Sequence, residues 1–299
     1  MCIRDRNRAA LQKQKYNQPL EPGLYIVSTP IGNSLDISLR ALNVFSRADN
    51  IICEDTRITK KLLSIHNIET SLSSYHEFNA ERARPLIIKK IKDKKIIALV
   101  SDAGTPLISD PGYKLVRACI DENIPVTSVP GASSVIASLT VSGLPTNEFF
   151  FGGFLPKKKL MKIKKLKNLS NIPSTIIIFE STKRLVSSCE DILKIFGSRQ
   201  ASVVRELTKK HEEIVRSTLP ELINQLKNRE SIKGETIILI GPDMASQKKQ
   251  LADENIVGAI DNMVKFMSVK DIGNTLVKLV DMKKKEIYEI ALLRKKKCK

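Results

Sequence analysis

The chain has 299 residues, 42% of them hydrophobic and 27% charged, and its 50 Lys and Arg outnumber 32 Asp and Glu for a net charge of +18. That length favours two domains and a small appendage over one core, and no apolar run approaches the roughly 20 residues of a membrane span. Five scattered cysteines and three histidines show neither a disulfide framework nor zinc-ligand spacing, so no metal is expected.

The charge makes a polyanion the leading partner class, because each neutralised phosphate releases condensed counterions. A lysine-rich proteome would produce the same excess. Residues 1–20 carry five basic side chains and one acid without apolar periodicity, and read as a disordered or non-native basic tail. The opening six residues hold charges but no apolar core, which excludes a secretory signal there and leads to the expectation of a cytoplasmic protein.

From Gly23 short apolar runs alternate with amphipathic segments. Leu24-Tyr25-Ile26-Val27-Ser28 reads as a strand, and Leu35, Leu39 and Leu42 then follow at helical spacing, with Asp36 in the first turn. Ile51-Ile52-Cys53, Ile96-Ile97-Ala98-Leu99-Val100 and Val126-Thr127-Ser128-Val129 are further strands. Continuous apolar strands separated by helices predict a parallel sheet covered on both faces.

A hinge is expected at Ser142-Gly143-Leu144-Pro145. Beyond it come Phe149-Phe150-Phe151, Ile176-Ile177-Ile178-Phe179 and a helix marked by Leu185, Cys189, Ile192 and Phe196. Strands around Arg205 and Ile214 lie close enough in sequence to pair antiparallel, and Ile237-Ile238-Leu239-Ile240 adds another, which makes the second sheet mixed. The expected fold is therefore α/β with two domains, a mostly parallel sheet over residues 21–140 and a mixed sheet over 141–242. A basic helical appendage follows over 243–299, with Ser268-Val269-Lys270-Asp271 capping one of its helices.

Four loops at strand ends are rich in Gly, Pro, Ser and Thr: Thr29-Pro30-Ile31-Gly32-Asn33, Ser101-Asp102-Ala103-Gly104-Thr105-Pro106, Pro130-Gly131-Ala132-Ser133-Ser134 and Phe151-Gly152-Gly153-Phe154-Leu155-Pro156. Ligands of open α/β sheets bind beyond the carboxyl ends of strands. None of the loops is a dinucleotide fingerprint or a P-loop, so neither NAD nor ATP is indicated. Polar clusters end other strands: Cys53-Glu54-Asp55-Thr56-Arg57, Ser74-Tyr75-His76-Glu77, Phe179-Glu180-Ser181-Thr182-Lys183-Arg184 and Arg205-Glu206-Leu207-Thr208-Lys209. Helix capping by Asp55 or Thr56 is the alternative to a chemical role in the first of these, and ion-pair networks are the alternative in the last two.

Taken in order over about residues 24–242, these segments, together with Leu107-Ile108-Ser109-Asp110-Pro111-Gly112 and Lys233-Gly234-Glu235, resemble the tetrapyrrole methylase superfamily. Within it they are similar to members that methylate a cytidine ribose of bacterial 16S ribosomal RNA. The resemblance implies a homodimer and S-adenosylmethionine as methyl donor, folded into a cleft between two α/β domains. The acceptor it implies is a 2′-hydroxyl in the decoding region of 16S rRNA in the small ribosomal subunit, with no role for a membrane or for DNA. By match of motif, Pro30, Thr105, Ile108, Ser133 and Ser134 lie against the donor from the first domain, and Phe179 and Glu180 from the second. Thr182-Lys183 stands where the family commonly has Pro-His.

A ribose hydroxyl is a poor nucleophile, so a base or cation that eases proton loss is expected beside the donor. Glu54, Asp55 and His76 are the candidates for that role, and Arg57, Lys183, Arg184 and Arg205 for holding the RNA backbone. Residues 157–167 hold seven lysines interrupted by Leu160, Met161, Ile163 and Leu166, which predicts an amphipathic helix with a basic face. Two other readings stay open: a related methyltransferase acting on a tetrapyrrole, and a ribosome-binding protein without catalysis.

Overall fold

Strand β1 (Gly23–Val27) is buried along its whole length, at the interior of a five-stranded parallel sheet. Its neighbours are β2 (Asn50–Cys53), β3 (Leu72–Ser74), β4 (Ile96–Leu99) and β5 (Val126–Val129), in the order β3-β2-β4-β1-β5. The computed structural model that shows this describes residues 19–243, 256–277, 279, 280, 282 and 284–297. Side chains alternate faces along a strand, and here both faces are apolar. Leu24, Ile26, Ile97 and Leu99 pack against α3 (Ala80–Lys92) and α4 (Tyr113–Asp121), whereas Tyr25, Val27, Ile51 and Ala98 pack against α1 (Leu39–Arg47) and α2 (Thr56–Ile65). Burial on both faces is why these strands read as continuous apolar runs.

Helix α5 (Ser134–Val141) leads into the second sheet. Strands β6 (Phe149–Phe154), β7 (Thr175–Ser181), β8 (Gln200–Arg205), β9 (Glu213–Thr218) and β10 (Glu235–Ile240) lie in the order β6-β7-β10-β8-β9. The β6–β7 pair is parallel and the others antiparallel, including the pairing expected of β8 and β9. One face, with Ile176, Ile178, Val203 and Ile238, is covered by α6 (Lys159–Ser170), α7 (Leu185–Phe196) and α8 (Leu219–Lys227). The other face presents Ile177, Phe179, Val204 and Ile237, and only Val135 and Leu139 of one helix, α5, bury against it in that cluster. The two α/β layers form one compact unit that ends at Gly241.

The second unit begins at Pro242. Residues 256–263 form helix α9, followed by α10 (Val269–Leu276) and α11 (Lys284–Lys297). Ile260, Ile272, Leu276 and Ile287 make a core of its own. Ser268 caps α10, its Oγ accepting the Asp271 amide at 3.2 Å, as the sequence pattern predicts. The expectation for the 1–20 tail falls on residues 1–18, which lie outside the described residues, as does Lys283.

Three local expectations need correction. Leu35 and Leu39 are exposed and start no single helix. Instead Asn33 caps a short 3-10 turn and Ser38 caps α1, so the buried face of α1 is Ala41, Val44 and Phe45. Residues 151–154 are no loop but the end of β6, where the pairing with β7 shifts register between Phe151 and Phe154. In α6 the phase differs: Leu160 and Met161 are exposed while Lys162 is buried with Leu166 and Leu169. Lys162 pairs with Asp191 of α7 at 2.6 Å, and Lys165 donates to the carbonyls of Gly152 and Phe154. Two of the seven lysines thus hold the fold, and Lys157, Lys158, Lys159, Lys164 and Lys167 remain on the surface.

Removing one partner of a buried ion pair leaves an uncompensated charge. Lys162→Ala is therefore expected to lower stability by about 3 kcal/mol in urea unfolding, while Lys164→Ala stays within about 0.5 kcal/mol of the parent.

Candidate active site

The loops after β1, β4 and β5 are fastened to one another at the carboxyl edge of the first sheet. Thr29 and Gly104 exchange backbone hydrogen bonds of 2.9 and 3.1 Å. The Thr105 hydroxyl donates to Ala132 O at 3.0 Å and lies 3.0 Å from the Ser28 hydroxyl. Gly104 sits at φ +79° in this bridge, a conformation that favours glycine.

Backbone strain collects on the loops beside this edge. Leu107 (φ 74°) and Ser109 (φ 69°) lie on the β4 loop, and Glu206 (φ 50°) and Thr208 (φ 63°) on the loop after β8. The other described non-glycine residues with positive φ, Asn67, Lys94 and Asn123, follow helix ends, where that conformation is routine. Away from such ends it persists only where surrounding contacts hold it. One such contact crosses between the layers, Thr208 Oγ1 accepting the Asn33 amide at 3.1 Å, and one lies within the second layer, the Glu206 carboxylate accepting the Glu235 amide at 2.9 Å.

Between the layers lies a cavity of about 360 Å³ whose walls include Ile31 and Ala103 on one side and Phe179, Val204, Leu207 and Ile237 on the other. A smaller cavity of about 130 Å³ shares Ala103, Ser134, Phe154 and Phe179 with it and adds Thr105, Ile108, Asp110 and Ser133. Phe179 meets Phe151 and Phe154 edge-to-face, with centroids 4.8 and 5.4 Å away. Thr105, Ile108, Ser133, Ser134, Phe179 and Glu180 thus gather around one continuous cleft. Pro30 lines an adjoining cavity on the α2 side.

Glu180 is buried, and both of its oxygens are engaged. Oε1 accepts from Arg184 at 2.6 Å and from the Ser181 amide at 2.7 Å, and Oε2 accepts from the Ser188 hydroxyl at 2.7 Å. The pair organises the end of β7. Arg205 is bound to Glu213 at 3.1 Å and to Lys233 O, whereas Lys183 is exposed.

The polar clusters after β2 and β3 separate into two roles. Asp55 caps α2, its Oδ1 accepting the Arg57 amide at 2.8 Å, and it grips the Arg57 guanidinium at 2.6 Å. Those bonds hold its carboxyl down at about 2, which makes it a feeble base. Arg57 itself projects into solvent. Glu54 differs: partial burial and the charge of Asp102 raise its carboxyl, with His76 opposing. His76 Nδ1 is buried without a hydrogen-bond partner among the described residues.

Asp110, not singled out as a candidate in the sequence, joins this group. Burial pushes its carboxyl up to about 6, against a bond from Ser101, and the charges of Glu54 and Asp102 push the same way. It lines the smaller cavity with Thr105 and Ser133. In the sequence it precedes Pro111-Gly112 and reads as a turn residue; only the fold brings Glu54 to it.

Comparison with known proteins agrees with this geometry. Residues 23–223 match the family model of the tetrapyrrole (corrin/porphyrin) methylases. A ribosomal RNA small subunit methyltransferase I from Rickettsia prowazekii is 43% identical over 270 residues, which cover 90% of this chain and 94% of the relative. The chain belongs to this family of methylases. The relative of the same name from Mesorhizobium japonicum is 45% identical over 75% of the chain and 77% of its own length. Among solved structures, uroporphyrin-III C-methyltransferase from Thermus thermophilus complexed with S-adenyl homocysteine superposes with a TM-score of 0.52, over 73% of this chain and 96% of that one. At 20% identity it shares the fold. The family's α/β architecture, a parallel sheet followed by a mixed one, is the architecture seen here.

The raised Asp110 carboxyl has a consequence for stability. The folded protein keeps this proton to a higher pH than the unfolded chain does. The group therefore adds stability below about pH 4 and loses that contribution as pH rises through about 6. In urea unfolding, the stability of the parent relative to Asp110→Asn should fall by about 1–2 kcal/mol between these pH values, the range discounted for partial solvent screening. A flat difference would place Asp110 in ordinary solvent.

Proposed function

We propose that the chain transfers a methyl group from S-adenosylmethionine to the 2′-hydroxyl of a cytidine in the decoding region of bacterial 16S ribosomal RNA. It does so as a cytoplasmic homodimer acting on the small ribosomal subunit. The observation that carries this reading is the cleft itself, in which three fastened strand-end loops face the part of the second sheet's apolar side that α5 leaves uncovered. Its chemistry suits the donor. Apolar walls at Phe179, Val204, Leu207 and Ile237 match an adenosyl group, and the Asp110 carboxylate favours a sulfonium. The floor carries no phosphate-gripping lysine among its described lining residues. The names of the relatives support the RNA acceptor.

The donor brings an activated methyl group, so the protein's work is alignment and proton removal. Thr105, Ile108, Ser133, Ser134 and Phe179 hold the donor, with Pro30 shaping its edge and the Glu180–Arg184 pair fixing the wall. As the ribose oxygen bonds to the methyl carbon and the sulfur–carbon bond breaks, the hydroxyl proton passes to a carboxylate. Asp110 is the group best suited to receive it, since a base works best with its pKa near the working pH. Glu54 and Asp102 set its charge environment, His76 acts in turn on Glu54, and Asp55 serves by aiming Arg57. Arg57, Lys183, Arg184 and Arg205 supply positive charge for the RNA backbone, and surface lysines of α6 extend it.

Labelled S-adenosylmethionine offered with small subunits, naked 16S rRNA and a porphyrinogen tests the assignment. Label should enter subunits and emerge on digestion as 2′-O-methylcytidine. Label in the porphyrinogen would make the acceptor a tetrapyrrole, and label in neither would remove catalysis. Asp110→Asn is expected to slow transfer about 100-fold and to abolish a rate limb near pH 6.

A further inference from the structure

A second cavity, of about 270 Å³, opens on the other side of Ile31 and Ala103 from the donor cleft and shares those two residues and Glu235 with it. Its apolar walls come from the β1 loop and from the exposed flank of α2, at Pro30, Ile58, Leu62 and Ile65. Ile58 and Ile65 are about half exposed, which is unusual for neighbours on one helix face unless something covers them. Lys61 lines the same cavity, with Arg57 one turn earlier on α2, and Lys209 lines it while paired to Glu206 and Glu235 at 3.1 Å each. Cations around an apolar slot match an unpaired nucleotide, whose base is flat and apolar on its faces and whose phosphates are anionic.

Asp102 lines the slot together with Thr59, Ser101 and Glu235. Asp102 Oδ1 accepts the Asp55 amide at 3.0 Å, which fixes the carboxylate at the sheet edge. Its Oδ2 has no hydrogen-bond partner among the described residues, and Asp110, beside it, lines the donor cavity. A carboxylate oxygen accepts from the exocyclic amine of cytosine and meets an acceptor oxygen at the same place on uracil.

We propose that the cavity between α2 and the β1 loop holds the base of the acceptor nucleotide, and that Asp102 selects cytosine through its exocyclic amine. The proposal rests on the RNA reading above and adds to it the residue that chooses the base. Holding the base on one side of Ile31 and the donor on the other brings the ribose to their shared border, near Asp110. Specificity then lies in Asp102 and proton removal in Asp110, two groups on one strained loop.

Binding separates this proposal from the wider functional reading. Cytidine and uridine 5′-monophosphates are titrated by NMR into protein saturated with S-adenosylhomocysteine. The parent should bind the cytidine nucleotide about 10-fold more tightly than the uridine nucleotide. Asp102→Asn, which keeps an acceptor for the Asp55 amide, should bring the two within about 2-fold. Ile58→Trp, which fills the slot from its open side, should lose both nucleotides while binding S-adenosylhomocysteine as the parent does. Equal binding of both nucleotides by the parent, or parent-like nucleotide binding by Ile58→Trp, would overturn the proposal. A parent that selects the cytidine nucleotide yet labels no ribosomal subunit would support the pocket and count against the ribosomal substrate.

Discussion

The loop between Val100 and Gly112 does three things at once, and the fastening that holds it shapes everything else at the site. It is bridged to the β1 loop at Gly104, bonded to the β5 loop through Thr105, and carried through left-handed backbone at Leu107 and Ser109. Each left-handed non-glycine residue costs on the order of 1 kcal/mol or more, so such a path survives only under external restraint. The restraint comes from a parallel sheet whose strands are buried on both faces and cannot shift register without exposing one of them. Rigid strands make a rigid edge, and the rigid edge holds a strained loop whose acids face inward.

Against that edge stands a sheet with one face left largely open. Three helices cover its outer side, whereas α5 covers only part of the inner side, and the remainder forms the wall of the cleft. The Asn33 amide bonds across to Thr208 Oγ1, and within the second sheet the Glu206 carboxylate holds the Glu235 amide and so shapes the loop that receives it. The electrostatics run opposite to the bulk composition. The protein carries a charge of +18, yet Glu54, Asp102 and Asp110 concentrate negative charge where the two layers meet. A polyanion is drawn to the surface in general, while the interior of the site favours a cationic donor and an amine-bearing base.

Much of this was legible in the sequence, for identifiable reasons. Parallel strands buried on both faces leave apolar runs such as Ile96–Leu99 that no surface helix imitates, and glycine, proline and hydroxyl residues mark the loops that end them. Helix phase was harder. Lys162 looked like part of a basic face because sequence shows its charge but not Asp191, which is 29 residues away in the chain and 2.6 Å away in space. Leu35 and Leu39 have helical spacing, but Asn33 and Ser38 each cap a separate turn. Among the site residues, Asp55 is drawn into capping by its own neighbours, an alternative that the local sequence itself offers. The character of Asp110 comes from burial and from Glu54, on a different strand end, and no local pattern encodes it.

A crystal structure of the protein with S-adenosylhomocysteine tests the central claim, that the fastened loops and the open sheet face form a donor site, most directly. The account predicts the ligand in the cleft bounded by Thr105, Ser133, Phe179 and Leu207, with its sulfur turned toward Asp110 and the slot beside Ile58 left free. A ligand seated in that slot, or bound outside the cleft, would contradict it.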